Sequence, residues 1–405
     1  MSTHDVTRQV RQLQQALSSD KAAAAVLLGA GCGSSIRLTE NGVKFPLVPD
    51  IAGLTLKIRE VVTAQETLRE PYEHLLRHLA EDGNASPNVE DILSHVRTLR
   101  QAAGTSEARG LTGTVLGTLD DEICRITQQC IDKTLPGTTT GYHRLASWIS
   151  SIRRENAVEV FTTNYDLLME QALEAQRVPY FDGFAGASRA FFDPISMATD
   201  VDRFPSHWCR LWKLHGSVNW WRDGGGAVVR GGQPSGKAPL IHPSHLKYEE
   251  SRRMPYLAMI DRLRAHLKRT RAVLVTCGFS FADQHLNEVV DEGLQGNPTA
   301  VCFGLAYGEA AKYPRAVQLA ERRSNMSLWA RDRATIGTRT GTWTISDTSE
   351  TPPEWVAELL PAPPGGSTSG ERACQLKLGD FVAFGEFLAD QMGTPFDGAR
   401  ATHGA

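Results

Sequence analysis

Phe161–Thr162–Thr163–Asn164–Tyr165–Asp166 follows a short apolar run, residues 157–160, and precedes Leu167–Leu168–Met169–Glu170–Gln171–Ala172–Leu173. The run reads as a buried strand and the segment after it as a helix. Asn164 and Asp166 therefore stand where a strand ends and a helix begins, the crevice in which open α/β sheets bind ligands. An amide and a carboxylate two residues apart at such a point can orient a polar ligand and steady a developing positive charge. Equally, either side chain can cap the helix.

Three other stretches repeat the arrangement. The apolar run 22–28 leads into Gly29–Ala30–Gly31–Cys32–Gly33–Ser34–Ser35. Its small residues let the backbone approach a ligand closely, and its amides can face a pyrophosphate. The pattern is not G-x-G-x-x-G, so the ordinary dinucleotide fingerprint fails, and a tight turn without a ligand is the alternative. A strand-like start at 210–214 ends in His215–Gly216–Ser217, one of 12 histidines. The apolar run 272–277 ends in Gly278–Phe279–Ser280, with Asp283 a natural cap for the next helix. Glycine and a hydroxyl at such a turn suit a phosphate or a ribose. Asp50, some twenty residues past the first glycine turn, either caps a helix over 51–63 or binds a ribose.

Strand–GAG, strand–TTNYD, strand–LHGS and strand–GFS in this order resemble the sirtuin superfamily, over about residues 20–305. The resemblance implies an α/β fold, a Rossmann-like doubly wound parallel sheet with a helical insert. It implies NAD+ bound in an inverted pose and cleavage of the nicotinamide–ribose bond through an oxocarbenium-like state. In that reading Asn164 and Asp166 fix the nicotinamide ribose or an attacking water, and His215 is general base towards a ribose hydroxyl. Gly29, Ala30, Gly31 and Ser34, with Gly278 and Ser280, cradle the phosphates, and Asp50 and Thr163 complete the cofactor site. The chain departs from deacetylase sirtuins in three ways. It has no C-x-x-C pair for their zinc module, Thr163 stands where a glutamine is usual, and the asparagine expected near Phe303–Gly304 is missing. The pattern is closer to the zinc-free sirtuin-like domains of bacterial antiphage defence, which look like NAD+ hydrolases. Several of these operate with a partner, a HerA-like hexameric ATPase or an Argonaute. The expected activity is NAD+ glycohydrolysis, with NAD+ as substrate and no zinc. The alternatives are a protein deacylase or ADP-ribosyltransferase, and a non-catalytic module that binds NAD+ or ADP-ribose.

Composition sets the remaining bounds. The chain has 405 residues, 41% hydrophobic and 22% charged, with net charge -3, so nothing in bulk points to nucleic acid. A basic group at Arg262, Arg264, Lys268, Arg269 and Arg271 reads as a solvated helix face. Seven scattered cysteines argue against a disulfide framework. No apolar run is long enough to span a bilayer, and MSTHDVTRQV lacks the apolar core of a signal peptide, so the expected location is cytoplasmic. Residues 64–153 read as helices at 65–82, 89–103, 111–133 and 141–154, an insert between two strands. A hairpin is expected at 36–45 and another near 227–229, with residues 178–205 irregular and aromatic. Late strands are expected at 327–330 and 342–345, then a Pro/Gly/Ser linker at 361–370 and a helix near 379–391. The expected domains are thus 20–63 with 154–345 as the NAD-binding catalytic domain, 64–153 as the insert, and 346–405 as a C-terminal segment. The apolar stripes of 89–133 further suggest a homo-oligomer built through the insert.

Overall fold

The computed structural model describes residues 2–40, 42–198, 204–231, 254–346, 352–361 and 372–392. Its centre is a sheet in which Met326–Trp329, Val301–Leu305, Ala272–Cys277, Ala23–Leu28, Glu159–Thr162, Cys209–Lys213 and Tyr180–Phe181 lie side by side, all mutually parallel. Ala23–Leu28 is central and wholly buried. Its alternate residues feed two cores: Ala24, Val26 and Leu28 on one face, Ala25 and Leu27 on the other. A strand covered on both faces needs an unbroken apolar run, which is why AAAVLL shows no alternation. The fold is therefore the doubly wound α/β class expected.

Later strands are laid down on one side of Ala23–Leu28 as far as Cys209–Lys213, then on the other from Ala272–Cys277 onwards. The switch in winding lies between Ala23–Leu28 and Ala272–Cys277, the place where such sheets open a crevice. Register levels the strand ends: Cys277 pairs with Leu28, Leu28 with Thr162, and Thr162 with Lys213. The ladder runs one step further through Gly29 N to Cys277 O, Thr163 N to Leu28 O and Leu214 N to Thr162 O. All four chemically suggestive turns thus emerge in one row.

Four helices, Ile51–Thr63, Glu66–Glu81, Val89–Ala103 and Gly113–Ile131, pack on one another beside this row. Asn88 starts the third with a capping box to Asp91. Gly141–Ser151 packs instead on Leu168–Ala175 and on the C-terminal helix Phe381–Asp390.

The hairpin Arg37–Glu40/Val43–Pro46 and the strands Met326–Trp329 and Arg339–Ile345 form where their patterns place them. Two regions differ from expectation. Residues 178–205 are not merely irregular: Phe184–Ala185 and Ala190–Phe192 join Trp220–Arg222 and Val228–Arg230 in a separate four-stranded sheet. Ser2–Asp5 is a strand parallel to Arg339–Ile345, although STHD carries no apolar alternation to announce it. Most of the expected linker, 362–370, lies outside the described residues. All seven cysteines are free, and no described helix is long and apolar enough to cross a membrane.

Candidate functional site

The two glycine turns are locked together. Gly31 N donates to Gly278 O at 3.0 Å, and the Cys32 thiol donates to Cys277 O at 3.2 Å. A Cβ on Gly29 would lie 2.3 Å from Gly278 O, and one on Gly31 would lie 2.7 Å from Gly278 Cα. Gly278 also has φ +64, a left-handed conformation that strains any residue with a side chain. These glycines are thus required first by backbone-to-backbone packing. The amides of Gly29, Gly31 and Cys32 all donate within the protein. Ser34 Oγ donates to Gly31 O, and Ser280 Oγ accepts from Ala282 N. Ala30 and Ser280 are exposed at the rim.

Asn164 does not cap a helix. Its Nδ2 donates to Gly29 O at 3.0 Å, tying the second turn to the first. The Tyr142 hydroxyl, fully buried on the helix Gly141–Ser151, lies beside the Asn164 side chain, with Asp166 and Cys32 as further neighbours. Asp166 precedes the N-cap position, which is Leu167, and its Oδ1 accepts from Leu168 N at 3.1 Å, closing the turn into the helix. Its other oxygen is 3.7 Å from where a Cβ on Gly33 would sit. Burial pushes the Asp166 carboxyl up to about 6, against the pull of Lys213. Thr163 is half-buried beside this pair.

His215 follows the fourth strand. Gly216 takes φ +101, and Val218 N donates to Tyr165 O at 2.9 Å, so the turn folds back against the Asn164–Asp166 segment. His215 Nε2 lies 3.1 Å from Asp283 Oδ2. Asp283 also caps the helix Gln284–Gly296, its Oδ1 accepting from Leu286 N. The carboxylate therefore holds the imidazole while itself being held. Sequence reading saw only the cap; no local signal shows that its second oxygen faces a residue 68 positions away. The Tyr165 ring lies 6.5 Å from that of His215. Its buried hydroxyl has no hydrogen-bond partner, and its nearest charges include Glu90 and Arg97 of the insert.

The structure thus brings together the Gly29–Ser34 and Gly278–Ser280 turns, Thr163, Asn164, Asp166 and His215. Asp50 caps Ile51–Thr63 through Gly53 N at 2.8 Å, the capping alternative. Sequence reasoning also missed Tyr142, Lys213 and Glu170, which reach the site only through tertiary packing. Among the described residues no group of His, Cys, Asp and Glu is placed to hold a metal ion.

Residues 158–326 match the family model of the SIR2-like domain. No curated protein matches the chain. Among solved structures, one described as the structural basis for the mechanism and regulation of Sir2 enzymes aligns at 11% identity. It covers 76% of this chain and 89% of that one, with a TM-score of 0.36. Two single-substitution variants of a Sir2 homologue, each in complex with ADP-ribose, align at 12% identity over 75% of this chain and 87% of theirs, with TM-scores of 0.29. The SIR2-like match takes in Asn164, Asp166, His215, Gly278 and Ser280, and begins well after the Gly29 turn.

Proposed function

We propose that the chain is a sirtuin-like NAD+ glycohydrolase that releases nicotinamide and ADP-ribose. The observation that carries this is the row of strand ends that sets a buried amide and carboxylate, Asn164 and Asp166, beside a carboxylate-held histidine, His215. The SIR2-like match over the same turns supports it.

Breaking the nicotinamide–ribose bond leaves positive charge on the sugar while nicotinamide departs neutral. The Asp166 carboxylate is placed to stabilise that charge, strongly so because it is withdrawn from water. Water then bonds to the anomeric carbon and loses one proton, which His215 accepts directly or through a ribose hydroxyl. Asp283 holds the imidazole and stabilises it once protonated. Asn164 keeps the glycine turn and the carboxylate turn at a fixed separation. The rim at Ala30 and Ser280 is where a pyrophosphate would approach the closely packed glycines. We further propose that the enzyme serves antiphage defence and is restrained by a partner of the hexameric ATPase kind, since free NAD+ hydrolysis would drain an essential cofactor.

The test is incubation with NAD+ while free nicotinamide and ADP-ribose are followed by chromatography, with and without an acetylated peptide. Nicotinamide and ADP-ribose in equal amounts, independent of peptide, are expected. Asn164→Ala should abolish release, and His215→Ala should lower kcat by roughly 10²–10⁴-fold with little change in NAD+ affinity. Release that requires the peptide would overturn the reading, as would full activity in Asn164→Ala.

A further inference from the structure

Lys213 ends the strand Cys209–Lys213, level with Thr162, and its side chain is 1% exposed. The chemistry proposed above does not use it. An ammonium buried this far persists only where protein groups replace its water. Its acceptors are Glu170 Oε1 at 3.0 Å, the Tyr165 carbonyl at 3.5 Å and the Asp166 carbonyl. Two of the three belong to the backbone of the Asn164–Asp166 turn. The third comes from the first turn of the following helix, Leu168–Ala175. The second oxygen of Glu170 is buried without a hydrogen-bond partner, so that carboxylate leans on Lys213.

We propose that Lys213 is the positioning residue of this site: clamped by Glu170, its ammonium pins the Tyr165 and Asp166 carbonyls so that the Asn164 amide and the Asp166 carboxylate keep their working geometry. The same ammonium is the cation that acts on the Asp166 carboxyl, which is otherwise faced by Glu170, Tyr142 and Cys32. It therefore has an electrostatic part as well, opposing the burial that drives Asp166 towards its neutral acid. The inference rests on the hydrolase reading for its kinetic consequence but not for its electrostatic one.

Lys213→Met alone would strand Glu170, so the informative variant is Lys213→Met with Glu170→Gln, which removes both charges. We expect it to fold, to lose about 10²-fold in kcat through misplacement of the turn, and to keep KM within about threefold. The acid limb of its kcat–pH profile should move up, by less than the roughly one pH unit that loss of a neighbouring cation alone gives, because the Glu170 charge that also acts on Asp166 goes with it. A folded double variant with wild-type kcat and pH profile overturns the proposal, even if its Tm has fallen. If the double variant does not fold, Lys213→Arg takes its place with kcat and KM as the readouts, since the longer planar group keeps the charge, and so the pH profile, but cannot meet the same three acceptors; wild-type kcat in that variant overturns the proposal. If the wild-type chain releases no nicotinamide, the hydrolase reading fails, and Lys213 is judged by carbon-13 NMR titration of the Asp166 carboxyl. The midpoint must then lie higher in the double variant than in Glu170→Gln alone, and equal midpoints overturn the inference.

Discussion

At Asp166, the proposed role and stability pull in opposite directions. The carboxylate is 5% exposed, and burial lifts it from an ordinary 3.8 to about 6. A raised carboxyl binds its proton more tightly folded than unfolded, so stability falls as pH rises between those two values. The cost of holding it ionised is complete above about pH 6 and absent well below pH 4. Two pKa units correspond to roughly 3 kcal/mol. Asn in its place still accepts from Leu168 N and carries no charge. Asp166→Asn should therefore raise Tm at pH 8 and remove NAD+ turnover, with the gain in Tm shrinking as pH falls from 6 to 4. Thermal unfolding of both proteins across that range checks it, and a Tm difference that does not vary with pH would refute it. Asp182, also lifted to about 6 by burial, gives both proteins the same background dependence, so the difference isolates Asp166.

At the level of elements, the C-terminal helix Phe381–Asp390 matters more than its distance in sequence suggests. It crosses Gly141–Ser151 at two glycines: a Cβ on Gly385 would lie 2.9 Å from Gly141 Cα, and one on Gly141 would lie 2.7 Å from Phe381 O. Arg144 and Glu386 close the contact at 2.5 Å, and Phe381 meets Tyr142 edge-on at 4.9 Å. Tyr142 is the residue that stands beside Asn164. Gly385→Val must push the helices apart, at a cost of about 1–3 kcal/mol. Tm should drop by several degrees, and nicotinamide release should fall further than Tm alone explains, because Tyr142 moves. Gly137→Ala, where a Cβ meets nothing within 4 Å, is the control and should change neither. A Gly385→Val protein with normal turnover would show that this helix does not communicate with the site.

On the scale of the whole molecule, the apolar stripes that suggested self-association are already used. Val89, Ile92, Leu93, Val96 and Leu99, and likewise Leu116, Leu119, Ile123 and Ile126, are buried in one core with the sheet. What the bundle leaves outside is Leu56, 67% exposed, and Ile51, 42% exposed, on the helix Ile51–Thr63. We still propose a homo-oligomer, now through that helix rather than through 89–133. Light scattering at micromolar concentration should show more than one chain, and Leu56→Asp should shift the mass towards the monomer. A wild-type monomer would contradict this. The bundle's proximity to Tyr165, through Glu90 and Arg97, is the route by which such an assembly would act on the candidate row of turns.

The main lines of the fold, and the four turns that make up the candidate site, were legible in residue order because each depends on local chemistry. Uninterrupted apolar runs such as 22–28 and 272–277 can satisfy their surroundings only as strands covered on both faces. Small or polar residues directly after them mark the turns. Asp50 and Asp283 were readable as caps because a cap is a contact over three residues. The rest required the chain to close on itself. That Gly29 and Gly278 need to be glycines because each would collide with the other's turn depends on register across 249 positions. The pairing of His215 with Asp283 and of Lys213 with Glu170, and the seat of Tyr142 beside Asn164, are contacts between elements far apart in sequence. The strand Ser2–Asp5 is the plainest case: STHD has no strand pattern of its own, and it is extended because the edge of Arg339–Ile345 offers it backbone partners. Residue types and their spacing determined which turns stand out as candidates for chemistry. Long-range packing decided which side chains face one another there, because burial and hydrogen-bond partnership belong to the folded neighbourhood and not to the residue.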